Sequence, residues 1–131
     1  MLARLGAAAP LALVLTQSLS RTPPIWIMVA MPYVTADDAS KSRLVARAVV
    51  AQALVATAWP ALAIAVAVAQ RWLSLPEATA MLVGVAAVAL LGAQRFHARA
   101  GGITGDFLGA TQQVGECAAL LVLALMRGEP T

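Results

Sequence analysis

Long apolar runs separated by short polar stretches dominate the sequence. A helix that crosses a bilayer needs about 20 mostly apolar residues, and runs of that kind occur at 44–69, 78–96 and 105–126. A fourth apolar stretch, at 5–34, is too long for one straight span and too short for two. The pattern therefore predicts an all-α fold, an integral membrane helical bundle of about four spans.

Polar residues and prolines interrupt the stretch at 5–34 near its middle. Ser18, Ser20 and Arg21 are followed there by two consecutive prolines, which lack the N–H group that a helix interior uses. We predict a single crossing that is broken or sharply kinked near Arg21. A cleavable signal peptide is the weaker interpretation of this segment, because further spans follow it. We expect residues 1–131 to form one membrane domain.

The composition also indicates a bilayer environment. Of the 131 residues, 61% are hydrophobic and 11% are charged, whereas about a quarter of the residues in soluble domains are charged. The net charge of +3 comes from Lys and Arg residues scattered singly between apolar runs. This distribution lacks the basic patch, interleaved with aromatic residues, that is typical of nucleic-acid binding. We predict a lipid bilayer as the partner and no nucleic acid.

The distribution of basic residues predicts an orientation. With one span between successive loops, the loops at 35–43 and 95–104 lie on the same side of the membrane. Four basic residues lie in these two loops, against Arg71 in the loop on the other side. The positive-inside bias places both loops in the cytoplasm. The four residues are Lys41, Arg43, Arg95 and Arg99.

A polar island at residues 101–116 stands out from the apolar sequence. On a helix of about 100° per residue, the small and polar residues from 102 onward share an arc of about 100°. A Gly-x-x-x-Gly helix contact would explain the glycines at 105 and 109. It does not explain carboxylates at membrane depth, which are costly and usually line a cavity or pathway. The face comprises Gly102, Gly105, Asp106, Gly109, Gln113 and Glu116.

The two carboxylates of this face predict two separate roles. Asp106 and Glu116 are ten residues apart, which is roughly 15 Å of helical rise, so they cannot share one metal ion from this helix alone. Asp106 is the better candidate ligand for Mg²⁺, which takes one or two carboxylates together with phosphate oxygens. Glu116 lies deeper and is expected to hold Arg21 or a hydroxyl, since a guanidinium inside a span needs an anionic partner. We predict Asp106, Glu116 and Arg21 as catalytic residues, with Asp106 as the metal ligand.

The glycines of the island suit an anionic substrate. Glycines at 101, 102 and 105 leave backbone N–H groups accessible near a helix start, and such a place favours anions. The predicted substrate-binding residues are Gly101, Gly102, Thr104, Gly105, Gly109 and Gln113.

The polar island closely resembles the C-terminal signature of the cobalamin synthase family, also called adenosylcobinamide-GDP ribazoletransferase. Upstream, Ser20-Arg21 and the apolar stretch that ends in Pro32-Tyr33 are similar to the family's central Ser-Arg segment. The resemblance therefore extends over nearly the whole chain. Its C-terminal residues are Gly101, Gly102, Ile103, Thr104, Gly105, Asp106, Phe107, Leu108, Gly109 and Ala110, then Gln113, Glu116, Leu120 and Leu121.

The resemblance implies an enzyme of the bacterial cell inner membrane that acts in the last steps of vitamin B12 biosynthesis. Members of the family join adenosylcobinamide-GDP to α-ribazole or its 5′-phosphate, release GMP and use Mg²⁺. The implied step is the attack of a ribazole hydroxyl on the phosphorus attached to cobinamide. In such a transfer, positioning and charge neutralisation do most of the work.

Two features of the family pattern differ in this sequence. Many members carry Glu where this chain has Gln113, and an amide does not neutralise a cation. The family also carries an acidic signature in its N-terminal half, and the acidic pair Asp37-Asp38 does not match it. We expect the chain to correspond to the C-terminal half alone and to be inactive by itself. Its expected protein partner is a chain that supplies the acidic signature, or a second copy of itself.

Two other classes of function also fit the residues. The chain is then either a non-catalytic membrane partner whose polar face completes a site on another chain, or a small transporter subunit. The transporter hypothesis uses Asp106 and Glu116 as an ion path. Substrate-dependent flux into liposomes favours transport, whereas GMP release that depends on Asp106 favours the enzyme.

Overall fold

The computed structural model describes residues 2–31 and 50–128. The described residues confirm the predicted all-α fold. A short 3-10 helix at Gly6–Ala8 joins the first two α-helices. In chain order the α-helices are α1 (Leu2–Leu5), α2 (Ala9–Ser20), α3 (Thr22–Ala30), α4 (Val50–Ala69), α5 (Leu75–Ala100) and α6 (Gly105–Met126).

Three of these helices, α4, α5 and α6, are long and apolar enough to cross a membrane. They coincide with the three predicted runs, although α5 extends beyond 78–96 at both ends. Residues 44–49 of the first run lie outside the described residues, as does the predicted loop at 35–43 with its basic residues. The chain is a multi-pass membrane protein.

The first crossing is a broken helix, as predicted. Arg21 lies between α2 and α3, where it is the C-terminal cap of one helix and the N-terminal cap of the next. The prolines at 23–24 occupy the first turn of α3, where N–H groups have no helical acceptor and proline is tolerated. The two helices have 12 and 9 residues. At about 1.5 Å per residue, the two helices placed end to end would be roughly 30 Å long, which is the thickness of a hydrocarbon core.

Specific caps fix the two ends of α5. At its start, the Ser74 backbone N–H donates to Glu77 Oε2 at 2.7 Å, and Ser74 Oγ accepts from the Glu77 N–H at 3.4 Å. At its end, Gly101 adopts a left-handed φ of 71° and donates its N–H to the carbonyl of His97. Because α5 continues to Ala100, the predicted loop at 95–104 is wrong for its first six residues. The connection to α6 consists of residues 101–104.

A polar lock joins the end of α6 to the start of α5. We use this name for Trp72, Ser74, Glu77 and Arg127. Arg127 Nε donates to Glu77 Oε1 at 2.7 Å, and its Nη2 donates to the carbonyl of Trp72 at 2.9 Å. The lock ties the beginning of one helix to the end of its antiparallel neighbour.

Two buried apolar clusters hold the helices together. The larger cluster contains Leu5, Met81 and Leu123, and the smaller contains Ile27 and Phe107. Because the start of the first crossing packs with the end of α6, and its end packs with the start of α6, these two crossings run antiparallel. Large apolar side chains on the outer surface, such as those of α4 and α5, are the groups that a lipid phase accommodates.

Candidate functional site

The small polar face of α6 lies on the open side of the described bundle. Phe107, Thr111 and Gly115 form the buried side of the helix, and Phe107 packs in the smaller apolar cluster. Four predicted site residues on α6 are exposed, and Glu116 is half-buried. The predicted face is therefore present from residue 105 onward. The exposed residues are Gly105, Asp106, Gly109 and Gln113.

Gly102 does not belong to this face, which corrects the predicted helical register for 102–104. Thr104 has an extended backbone, with φ −122° and ψ 163°, and its Oγ1 accepts from the Phe107 N–H at 3.3 Å. This cap starts the helix at Gly105. Gly102 is buried in the turn beside Ile103, which is completely buried and packs with the smaller apolar cluster. The turn is anchored by Ile103.

Gly109 tests the packing interpretation of the two glycines at 105 and 109. A Cβ built on Gly109 meets no atom within 4 Å, so this glycine does not serve a close helix contact with the described residues. On α6, Gly115 rather than Gly109 lies beside other helices. A Cβ there would lie 3.7 Å from Val85 Cγ1 and 3.9 Å from Ser20 Cβ. Gly109 therefore leaves space on the open face.

Asp106 lies in the first turn of α6 on the exposed surface. Its carboxylate makes no hydrogen bond or ion pair with the residues that the structure describes. The first N–H groups of a helix have no acceptor within the helix. In α6, the Thr104 hydroxyl accepts only from the N–H of Phe107. The last two turns of α5, at the same end of the bundle, carry Arg95, His97 and Arg99 with exposed side chains. Among the described residues, this end of the bundle therefore combines the Asp106 carboxylate with the guanidinium groups of Arg95 and Arg99.

Glu116 has a partner that the sequence did not predict. Gln17 Nε2 donates to Glu116 Oε1 at 3.1 Å, whereas no ion pair joins Glu116 to Arg21 within the described ranges. The predicted pairing of Glu116 with Arg21 is therefore corrected, because within the described residues the carboxylate accepts from the amide of Gln17 instead; its contact with a hydroxyl stays a prediction. An amide one turn before Arg21, inside an apolar stretch, marks Gln17 as a polar residue of the first crossing but does not indicate its partner.

Arg21 lies on a groove between the first crossing and α4. The groove has a volume of about 750 Å³, and its walls are mostly apolar. Arg21 is exposed. Breaks in membrane helices recur beside binding sites, since they place polar groups at membrane depth. Among the lining residues are Gln17, Ser18, Arg21, Val55, Trp59 and Pro60.

The described residues thus form two polar centres rather than one. Asp106 lies at the start of α6, and Glu116 lies ten residues further along the same helix. No group of three His, Cys, Asp or Glu side chains within residues 2–31 and 50–128 is close enough to hold a metal ion. In this part of the chain, Asp106 is available only as a single carboxylate ligand.

Comparisons with known proteins agree over nearly the whole sequence. The sequence model of the cobalamin-5-phosphate synthase family matches residues 1–124. An adenosylcobinamide-GDP ribazoletransferase of Leptothrix cholodnii is 37% identical over 117 residues. Proteins with the same name from Shewanella piezotolerans and Shewanella woodyi are 33% and 34% identical over 119 and 113 residues. No solved structure matches the chain significantly.

The coverage of these matches is unequal. The Leptothrix match covers 88% of this chain and 44% of the relative. For the two Shewanella proteins, the covered share of this chain is 88% and 86%, and the covered share of the relative is 43% and 42%. The chain spans less than half the length of the curated relatives that it matches.

Proposed function

Because the chain belongs to the cobalamin-5-phosphate synthase family, we propose that it contributes to an adenosylcobinamide-GDP ribazoletransferase. The reaction joins adenosylcobinamide-GDP to α-ribazole or its 5′-phosphate and releases GMP. The family match over residues 1–124 carries this proposal. The open polar face on α6 supplies a surface on which the described residues would act.

The proposed step is a phosphoryl transfer. A ribazole hydroxyl oxygen forms a bond to the phosphorus attached to cobinamide, the bond from that phosphorus to the GMP oxygen breaks, and GMP leaves with the bond electrons. The hydroxyl loses its proton to a base. Catalysis of such a step rests on positioning and on neutralising the charge of the phosphate oxygens. The exposed cationic groups at the Asp106 end of the bundle, Arg95 and Arg99, favour the approach of this anionic substrate.

The residues of the open face suit distinct roles. Glu116 is half-buried with one carboxylate oxygen held by Gln17, and its second oxygen is the proposed acceptor of the hydroxyl proton. Gln113 lies one turn before Glu116 on the same face and orients a substrate oxygen through its amide. The guanidinium of Arg21 pairs with a phosphate, for which its planar fork is suited.

Magnesium fits this surface only as an ion that Asp106 would share with ligands from outside the described residues. Mg²⁺ takes one or two carboxylates together with phosphate oxygens and water, and Asp106 is the described carboxylate that would contribute one ligand. When bound, the ion would neutralise phosphate charge. The described residues do not make a complete metal centre by themselves. The inner membrane and a cytoplasmic location of the 101–104 turn remain part of this proposal.

GMP release is the measurement that tests the proposed function. The chain is produced in membranes of a bacterial strain that lacks the transferase, first alone and then together with the unmatched part of the Leptothrix relative. Because the chain spans less than half of that relative, we expect GMP release and cobalamin formation only in the second arrangement. No release in either arrangement would overturn the proposal.

Asp106→Asn is the first variant to test. We expect GMP release to fall by about a hundredfold to a thousandfold, the usual effect of removing one electrostatic group from a transfer site. The helical content should stay unchanged, because Asp106 is exposed and in the first turn. Gln94→Ala, on the exposed surface of α5, is the control and should keep the full rate. An unchanged rate in Asp106→Asn contradicts the assigned role.

A further inference from the structure

The hydrogen bond from Gln17 to Glu116 joins α2 to α6 through two residues that are 99 positions apart in sequence. It lies on the open side of the bundle, since Gln17 is exposed and Glu116 is half-buried. Interhelical hydrogen bonds in membranes stabilise folds only weakly on average. A polar pair exposed beside a groove is therefore poorly explained as a device for stability.

The packing around this pair fixes its register. Ser20 packs against Gly115, where a Cβ built on the glycine would lie 3.9 Å from the serine Cβ. Ser20 and Gly115 are the neighbours, along their helices, of Arg21 and Glu116. Gly115 thus marks a place where α2 and α6 lie side by side. At this place the amide of Gln17 reaches Glu116 at 3.1 Å.

The geometry gives the carboxylate a defined direction. Gln17 and Arg21 are four residues apart, so they lie on the same side of the first crossing, and both line the groove of about 750 Å³. By holding Glu116 Oε1, the amide fixes one oxygen of the carboxylate next to α2. Its Nε2 donates to one oxygen only, and no described residue donates to the other oxygen, which can accept a proton.

We infer that Gln17 is a positioning residue that holds the Glu116 carboxylate in the orientation required for proton transfer. This inference rests on the proposed function, because it assigns Gln17 a role in that same reaction. Gln17 acts through Glu116 and makes no contact with the reacting atoms. Its loss should therefore affect the rate of the bound complex more than the binding of the substrate.

Two substitutions at this position separate positioning from packing. Gln17→Leu removes the donor, and Gln17→Glu keeps the size of the side chain but replaces the donor with a second carboxylate. We expect kcat for GMP release to fall about tenfold in Gln17→Leu, which corresponds to one hydrogen bond to a charged group. We expect a larger loss in Gln17→Glu, since like charges repel. KM for adenosylcobinamide-GDP and the unfolding midpoint in detergent should stay unchanged in Gln17→Leu.

The experiment uses the complete transferase assembly, with Gln94→Leu and Gln94→Glu on exposed α5 as matched controls that keep the wild-type kcat. A Gln17→Leu protein with wild-type kcat, or one in which only KM rises, overturns the positioning role. A lowered unfolding midpoint that accounts for the lost rate also overturns it, in favour of a structural role. If the wild-type assembly itself releases no GMP, the proposed function fails and the positioning role fails with it. If the wild-type assembly releases GMP and Gln17→Leu lowers kcat alone, the result supports both the proposed function and the positioning role.

Discussion

Replacing Arg127 with Met tests the polar lock between α5 and α6. The substitution keeps an unbranched side chain of similar length and removes the guanidinium. Two hydrogen bonds are lost, the one from Arg127 Nε to Glu77 Oε1 at 2.7 Å and the one from Nη2 to the Trp72 carbonyl at 2.9 Å. The Arg127 and Glu77 side chains are only 22% and 13% exposed. The ion pair is therefore shielded from most solvent screening.

The expected loss in the free energy of unfolding depends on which hydrogen bonds Glu77 keeps after the substitution. A hydrogen bond to a charged group contributes about 1.5–3 kcal/mol. After Arg127→Met, Glu77 still accepts from the backbone N–H and the hydroxyl of Ser74, at 2.7 and 2.8 Å, so its carboxylate is not left without a partner. We therefore expect a loss of about 2 kcal/mol. Glu77→Ala also removes the side-chain acceptor of the Ser74 N–H, the reciprocal half of the capping box, and should cost about 1 kcal/mol more.

The free energy of unfolding is measured by titrating the protein from mild detergent into dodecyl sulfate, with helical content followed by circular dichroism. Arg99→Met, an exposed arginine at the other end of α5, is the control and should change the free energy by less than about 0.5 kcal/mol. The double variant of Arg127 and Glu77 should cost less than the two single variants added together. Additivity within about 0.5 kcal/mol would refute the lock.

Two further predictions use the same measurement. Met81→Ala, at a completely buried position, should lower the free energy of unfolding by about 2–5 kcal/mol. Leu90→Ala, at a position that is 63% exposed, should lower it much less. Equal losses would contradict the assignment of inner and outer faces of α5. Gly109→Ala should be neutral or stabilising by up to about 1 kcal/mol, because the added Cβ meets no atom within 4 Å. Gly101→Ala should destabilise by about 1 kcal/mol, because residue 101 has a left-handed φ of 71°. A loss at Gly109 as large as that at Gly101 would favour the helix-contact interpretation.

The spans and the break in the first crossing could be predicted from the sequence because they depend on local features. Twenty apolar residues in a row have few alternatives to a spanning helix. Pro23 and Pro24, which follow Arg21 and Thr22, restrict the backbone wherever the segment lies. Local signals also mark the start of α5 at Leu75, where Pro76 and Glu77 follow the capping Ser74.

The start of α6 at Gly105 agrees with the predicted run at 105–126, but the polar arc that was drawn from residue 102 extends a regular helix across a turn. A left-handed glycine at 101 ends α5, and the Thr104 hydroxyl begins α6. Both are recognisable stop and start signals, but the periodicity of the polar residues concealed them. The polar face itself survived from Gly105 onward.

The partner of Glu116 could not be predicted from local pattern. The contact with Gln17 spans 99 residues, and its existence depends on how closely α2 and α6 approach at Gly115. Nothing in the spacing of polar residues along one helix specifies which neighbouring helix comes near. The sequence therefore identified the carboxylate, and only the packing of the helices identified the amide that holds it.

The four-residue turn between α5 and α6 bears on how the protein is inserted into its membrane during synthesis. α6 carries two carboxylates and is less apolar than α5 over its most apolar window. A helix of that kind enters lipid poorly on its own. Because residues 101–104 join α5 and α6 as an antiparallel hairpin, we expect the two helices to enter the bilayer together, with α5 supplying apolar surface that α6 lacks. A turn this short would make membrane insertion of the polar helix a cooperative event.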